Sequence, residues 1–150
     1  SRTPIPTWGF AVVVVQKGDR FLVVHEKKHR QLWYLPAGRV EPGETFAQGA
    51  LRETLEESGV PVTLTGILRI QHTPNPDGTA RMRVIYLAKP SDDTEPLSEP
   101  NEHSLEARWV TLDELDQLQL RSNEVRKLFR AVADGAPVHP LDLMRLEGDD

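Results

Sequence analysis

Residues 38–60 read Gly38-Arg-Val-Glu-Pro-Gly-Glu44-Thr-Phe-Ala-Gln-Gly-Ala-Leu-Arg52-Glu53-Thr-Leu-Glu56-Glu57-Ser-Gly59-Val60. The spacing of the acids and glycines in this stretch decides the reading of the whole chain. Thr45 followed three residues later by Gln48 is a capping box, which predicts a helix from about Phe46. The Ala, Leu, Arg and Glu that follow favour helix. Gly59 supplies its stop, and Pro61 does not continue it. Glu53, Glu56 and Glu57 stand at i, i+3 and i+4, so they share one face. Ala47, Leu51, Thr54 and Leu55 fall on the opposite side and are expected to pack on a core. Gly49 lies one turn before Glu53 and leaves space beside the carboxylates, at a cost of about 1 kcal/mol in helix propensity. Three like charges on one turn repel, and a cation relieves that repulsion. Clustered carboxylates suit hard oxygen-seeking cations such as Mg²⁺.

An acidic helix face alone is usually a solvated face. Here seven residues hold fixed spacings: Gly38, Glu44, Arg52, Glu53, Glu56, Glu57 and Gly59. At average composition such a pattern arises by chance in about one of 10⁸ windows. The stretch resembles the Nudix box, G-x5-E-x7-R-E-U-x-E-E-x-G-U, where U is bulky and apolar. Every fixed position matches. Thr54 stands at the first U, a mild departure that still offers a methyl group, and Val60 at the second.

The chain has 150 residues, enough for one domain with a sizeable core. A single Nudix domain over residues 1–150 is expected, with residues 1–7 and 145–150 as flexible tails. Apolar residues make up 38% and charged residues 27%, a globular balance. No apolar run reaches membrane-spanning length. The chain has no Cys, which removes disulfide, thiolate and Cys-ligated metal chemistry and is compatible with the cytoplasm. The net charge of −5 argues against a general nucleic-acid binder. It leaves a small phosphorylated substrate open, because a bound divalent cation reverses the local sign.

In chain order, Phe10-Ala-Val-Val-Val-Val15 suits a strand buried on both faces. Lys17-Gly18-Asp19 reads as a turn, and residues 10–27 as a hairpin. Leu32 to Leu35 is a short strand entering the box. Residues 62–71 and 81–88 are strands about a Pro- and Gly-rich turn. Residues 89–99 are expected to be a mobile loop, and 106–110 another strand. Thr111 and Glu114 form a second capping box, and Ser122 is expected to cap a helix to about Asp134. The tail after Met144 is expected to be partly disordered. Strands mixed with helices predict an α/β fold with a mixed β-sheet between helical layers. That agrees with the α/β/α sandwich implied by the resemblance.

The resemblance further implies hydrolysis of a phosphoanhydride in a nucleoside diphosphate linked to another group. It makes Glu53, Glu56 and Glu57 the expected metal ligands, with the backbone carbonyl of Gly38 as a further one. The metal is Mg²⁺, with Mn²⁺ as a substitute. Glu44 is placed near the metals, and Arg52 orients the box carboxylates. The metals neutralise phosphate, polarise phosphorus and acidify a bound water. The base that takes the water's proton is either a box glutamate, such as Glu53 or Glu57, or a later one, for which Glu102 and Glu106 are candidates, each weighed against the commoner role of an ordinary surface acid.

The approach Trp33-Tyr-Leu-Pro-Ala-Gly38 resembles Nudix phosphatases that cleave nucleoside di- and triphosphates, oxidised guanine nucleotides among them. Leu120-Arg-Ser122 and Val138-His-Pro-Leu141 resemble bacterial hydroxymethylpyrimidine-pyrophosphate hydrolases of the superfamily. Trp33 and Tyr34, with Phe10 and Tyr86, are substrate-binding candidates by stacking, against core packing, where aromatics are more often found. Arg83, among apolar strand residues, is expected to contact either phosphate or a structural carboxylate. The five histidines are scattered without metal-ligand spacing. The alternative is a catalytically silent Nudix-fold module that binds a nucleotide and regulates a partner. Such a module is expected to lose box carboxylates, and this chain keeps them all. A monomer or a homodimer fits equally.

Overall fold

A computed structural model describes residues 2–149, so Ser1 and Asp150 of the two expected tails lie outside the described residues. The central strand is β1, Thr7–Lys17. Ala11, Val12, Val13, Val14 and Val15 are all buried, as a β-branched run with no polar face requires. Alternation then splits them. Val12 and Val14 join one hydrophobic cluster, and Ala11, Val13 and Val15 join another on the opposite face. Parallel to β1 runs β6, Ala80–Pro90, paired from Thr7↔Ala80 to Val15↔Ala88. Antiparallel to β6 runs β5, Val62–Pro74.

The expected hairpin forms only at its tip. In β2, Arg20–Glu26, just Arg20 and Phe21 pair with β1. The strand then diverges to pair with β7, Ser104–Val110, and with the short β3, Trp33–Tyr34. The edge of β1 that it leaves is taken by Pro36, whose carbonyl accepts from the Val13 N–H at 2.9 Å, and by β4, Ala37–Arg39. The start of the glycine-rich box is thereby held against the central strand.

Helix α1, Phe46–Ser58, packs on one face of the mixed seven-stranded sheet. On the other face lie α2, Leu112–Leu115, and α3, Glu124–Ala133. The capping box of α1 is present: Gln48 N–H donates to Thr45 Oγ1 at 3.1 Å, and Thr45 N–H to Gln48 Oε1 at 2.9 Å. Gly59 ends the helix with φ 74°, a left-handed conformation that favours glycine. Thr111 and Glu114 cap α2 in the same way. At α3 the cap position is Asn123, one residue beyond the expected one, and Ser122 Oγ accepts from the Glu124 N–H at 3.1 Å.

One expectation for α1 is corrected. Leu51 and Leu55 are 40% and 51% exposed. Thr54 is buried as expected and Ala47 packs on the α1-side cluster, and the rest of the buried stripe is Gly49, Ala50 and Ser58. Its hydroxyls are satisfied within the helix, Thr54 Oγ1 donating to the Ala50 carbonyl at 2.8 Å and Ser58 Oγ to the Thr54 carbonyl at 2.6 Å, so their burial costs little. Gly49 lets Val40 close on the helix. The acidic residues therefore border the buried stripe instead of facing away from it.

Two further segments are more tied down than their composition implies. In the loop after β6, Leu97 donates its N–H to the Ser58 carbonyl and accepts from Ala107, each at 2.8 Å. Before the tail, Ile67 and His139 exchange two backbone hydrogen bonds at 2.8 Å, and Val138 fills the space over Gly66 that a Cβ there would need. Met144 then packs on the α1-side cluster.

Candidate active site

Arg52 organises the box. Its Nε and Nη2 donate to the two oxygens of Glu44 at 2.7 and 2.9 Å. Nη1 donates to Glu53 Oε1 at 2.8 Å and to Glu56 Oε2 at 3.2 Å, and Nη2 also reaches the Arg39 carbonyl at 3.1 Å. All five guanidinium N–H groups thus have acceptors, an arrangement the planar fork of arginine permits and a lysine does not. The loop before α1 and one face of α1 are locked to each other through this side chain. The guanidinium holds the Glu44 carboxyl down at about 2, and a backbone bond from Glu41 helps.

Glu57 has a different environment. Its Oε1 accepts from the Ala37 N–H at 2.9 Å, which ties α1 to the strand entering the box. Burial pushes its carboxyl up to about 8, opposed by that hydrogen bond and reinforced by the charges of Glu53, Glu26 and Glu56. Burial also raises Glu53, against the pull of Arg52. Glu53 lies directly against Gly38, where a Cβ would collide with its carboxyl group. Glycine at 38 is therefore required by close approach of a carboxylate to backbone.

Glu57 and Gly38 line a cavity of about 610 Å³, on the size scale of a nucleotide-sized ligand site. Tyr34, Arg83 and Glu102 line it too. Arg83 makes the structural ion pair that was one of its two expected roles. Its Nη1 and Nη2 bind both oxygens of Glu124 at 2.9 and 2.8 Å, and Tyr34 OH donates to Glu124 Oε1 at 2.8 Å. Burial and Glu124 push the Tyr34 hydroxyl up to about 12, so it stays a donor. The Arg121 guanidinium lies 4.5 Å from the Tyr34 ring and pairs with Glu26.

The candidates do not all converge. Trp33 is buried and does not line the cavity; it stacks on His25 at 4.5 Å, with the Arg108 guanidinium 4.7 Å from its ring. Alternation along β3 sends Trp33 and Tyr34 to opposite sides, and only Tyr34 reaches the cavity. Tyr86 is buried on the α1 side of the sheet. Of the two later glutamates, Glu106 is held by Arg108 at 3.0 Å and lies 3.8 Å from His25, outside the cavity. Glu102 stands at the cavity lip, 85% exposed, 3.4 Å from His103. Of the box side chains only Glu57 lines the cavity; Glu44, Arg52, Glu53 and Glu56 do not. Lys27, Lys28, Arg81, Arg121, His103 and Glu124 line it without having been singled out as site residues from the sequence. Only the Arg-Ser pair at 121–122 carried a signal, through its resemblance to other hydrolases.

The donor set fits a divalent cation of the Mg²⁺ kind. It is all oxygen: Glu53, Glu56 and Glu57 on one face of α1, with the Gly38 backbone against Glu53. Two of these carboxyls are raised by burial, a cost that a bound cation offsets. Among the described residues no three His, Cys, Asp or Glu side chains are gathered so that they hold a metal ion by themselves. Mg²⁺ does not need one, because it keeps several waters and shares substrate phosphates.

These features of fold and site define a class, and comparison with known proteins agrees. The NUDIX domain family model matches residues 6–132. The chain belongs to the Nudix family. It is 34% identical to mouse "8-oxo-dGDP phosphatase NUDT18" over 139 residues, 87% of this chain and 41% of that protein. The human counterpart is 32% identical, with 37% of its length covered. The chain thus spans about two-fifths of these mammalian relatives. "Phosphatase NudJ" of Escherichia coli (strain K12) is 31% identical over 134 residues, covering 87% of this chain and 86% of NudJ. A solved Nudix hydrolase from Nitrosomonas europaea superposes with a TM-score of 0.77 at 25% identity, covering 97% of this chain and 99% of the other. No helix among the described residues is long and apolar enough to cross a membrane.

Proposed function

We propose that this chain is a Mg²⁺-dependent phosphohydrolase that cuts a phosphoanhydride bond in a small nucleoside di- or triphosphate, with Mn²⁺ able to substitute. The observation that carries this reading is the half-buried Glu57. It projects into a nucleotide-sized cavity, is held by the Ala37 N–H, and stands beside a glycine that Glu53 contacts directly. A carboxyl placed at such a cost in burial, with two more on the same face, serves cation binding better than folding.

In this reading Glu53, Glu56, Glu57 and the Gly38 carbonyl hold the metal. The metal supplies charge neutralisation of phosphate and acidification of a bound water. Arg52 keeps Glu53 and Glu56 from repelling each other apart and fixes them through Glu44 to the loop. Glu102, at the lip, is the later-loop candidate for accepting a proton, because Glu106 lies outside the cavity. Phe10 and Tyr34 offer ring faces in the cavity, and Arg83 and Glu124 fix the Tyr34 hydroxyl. The substrate class agrees with the named activity of NUDT18 on 8-oxo-dGDP, a nucleoside diphosphate. The reading places the chain in the cytoplasm, as one domain acting on a small molecule.

The test is a panel of nucleoside mono-, di- and triphosphates, 8-oxo-dGDP included, assayed for phosphate release with Mg²⁺, with and without added inorganic pyrophosphatase. Metal-dependent release from a di- or triphosphate and not from the monophosphate is the expected result. Release that needs the added enzyme places the cut at pyrophosphate. A chain that binds these nucleotides with Mg²⁺ but releases nothing is a silent binding module, and the proposal fails.

A further inference from the structure

A second cavity, of about 880 Å³, lies on the α1 side of the sheet and shares no lining residue with the first. Phe46 and Ala47 line it from the start of the box helix, Tyr86 from β6, and Leu141, Met144 and Leu146 from the C-terminal segment. Leu141 and Leu146 are 39% and 64% exposed, so the fold leaves apolar surface uncovered at this concave place. Tyr86 is only 2% exposed, yet its hydroxyl makes no hydrogen bond with the described residues. A buried tyrosine usually finds a partner for its O–H. Among the described residues the sealed, unpaired side-chain polar atom is Ser104 Oγ, so the Tyr86 hydroxyl is not sealed and opens onto the cavity that Tyr86 lines. Burial pushes this hydroxyl above its ordinary pKa, so it stays a donor. The charged lining residues are three acids, Glu44, Asp142 and Asp149, and one cation, Arg145. Arg145 pairs with Asp142 at 3.3 Å, and Glu44 is held by Arg52. That balance disfavours a phosphate and tolerates a neutral or cationic molecule.

We infer that the cavity between the start of the box helix and the C-terminal segment is a second ligand site, which takes a neutral or cationic, mostly apolar small molecule with a hydrogen-bond acceptor for the Tyr86 hydroxyl. The inference goes beyond the phosphohydrolase reading and uses none of the residues that line the first cavity. Small-molecule sites of this volume are mostly apolar, with a few placed polar groups that fix orientation, and the Tyr86 hydroxyl is such a group. Glu44 connects the two places. A bound molecule touches the residue whose carboxylate holds Arg52, without entering the first cavity.

The experiment is a titration of the full chain with Nile red, a neutral apolar dye with a carbonyl acceptor, followed by its fluorescence. Saturable binding is expected, tighter than that of the anionic dye anilinonaphthalene sulfonate and unaffected by a methylene-bridged nucleoside diphosphate with Mg²⁺. Tyr86→Phe removes the hydroxyl alone and is expected to weaken Nile red about fivefold, the size of one net hydrogen bond. Leu146→Asp, at an exposed position, puts an acid in the apolar wall and is expected to weaken it at least about tenfold. Leu143→Asp, in the same segment but outside the lining, is expected to leave it unchanged. Where Leu146→Asp lowers Tm, Tyr86→Phe still decides, because it keeps the ring that packs in the cluster. Equal Nile red affinity in wild type, Tyr86→Phe and Leu146→Asp overturns the inference. So does displacement by the nucleotide analogue, which moves the dye to the first cavity. Self-association that excludes the dye overturns it too, since the face is then an interface between copies of the chain.

Discussion

Arg52 and Glu57 show how far single side chains determine this site. Arg52 spends all five donors on Glu44, Glu53, Glu56 and the Arg39 carbonyl. Arg52→Lys is therefore expected to behave almost like Arg52→Ala. Both should lower kcat by about 100-fold, since small misplacements cost that much, while KM moves little. Steady-state kinetics with Mg²⁺ checks it, and a lysine variant with wild-type kcat would show that the fork geometry is unimportant. Glu57 gives a pH prediction for the metal-free protein. Its carboxyl titrates near 8 when folded and near 4.5 when unfolded, so the unfolded chain gives up the proton first. The favourable contribution is complete below 4.5 and is lost as pH rises toward 8. In EDTA, the wild-type Tm should fall more between pH 5 and pH 8 than that of Glu57→Gln; parallel curves would contradict the burial of this acid. The carboxylate spacing was legible in the sequence because a helix turns i, i+3 and i+4 to one side regardless of its neighbours. The role of Trp33 was not, since its orientation depends on which side of β3 faces the cavity, and an adjacent aromatic, Tyr34, takes the other side.

The helix that carries the box is where local rules and tertiary packing part. Its capping box and glycine stop were readable, because both are satisfied by neighbours within four residues. Its buried face was not. Counting apolar side chains favoured Leu51 and Leu55, yet small residues and self-satisfied hydroxyls allow closer approach, and Gly49, Ala50, Thr54 and Ser58 face the sheet. Thr45→Ala should cost about 1 kcal/mol through loss of the cap. Leu51→Ser and Leu55→Ser should stay within about 0.5 kcal/mol, as exposed changes do. Denaturant unfolding separates these outcomes, and a Leu55→Ser loss above 2 kcal/mol would return that residue to the core. The same limit applies to β2. Its turn with β1 was visible, but its departure to β7 depends on partners some eighty residues away.

At the scale of the molecule, the mixed sheet sets the box helix on one face and α2 and α3 on the other, with the cavity where β1, β4 and β6 meet the loops. The α/β/α layering followed from a strand buried on both sides, and the sheet order did not, because parallel pairing of β1 with β6 leaves no local trace. The C-terminal segment extends the sheet through Ile67 and His139, and covers Gly66 with Val138. Removing residues 137–150 should lower Tm by uncovering Ile67, while hydrolysis at low temperature persists, since this segment lies outside the cavity. A thermal melt with an activity assay checks both parts. The account as a whole turns on metal held by the box acids beside an oligophosphate. Its most direct test is the initial rate of nucleoside diphosphate hydrolysis against free Mg²⁺ for wild type and Glu57→Gln. A saturable, EDTA-sensitive rate in wild type, with at least about a thousandfold loss in a variant that keeps its fold, is the predicted result. Turnover that ignores EDTA, or wild-type turnover in Glu57→Gln, would contradict it.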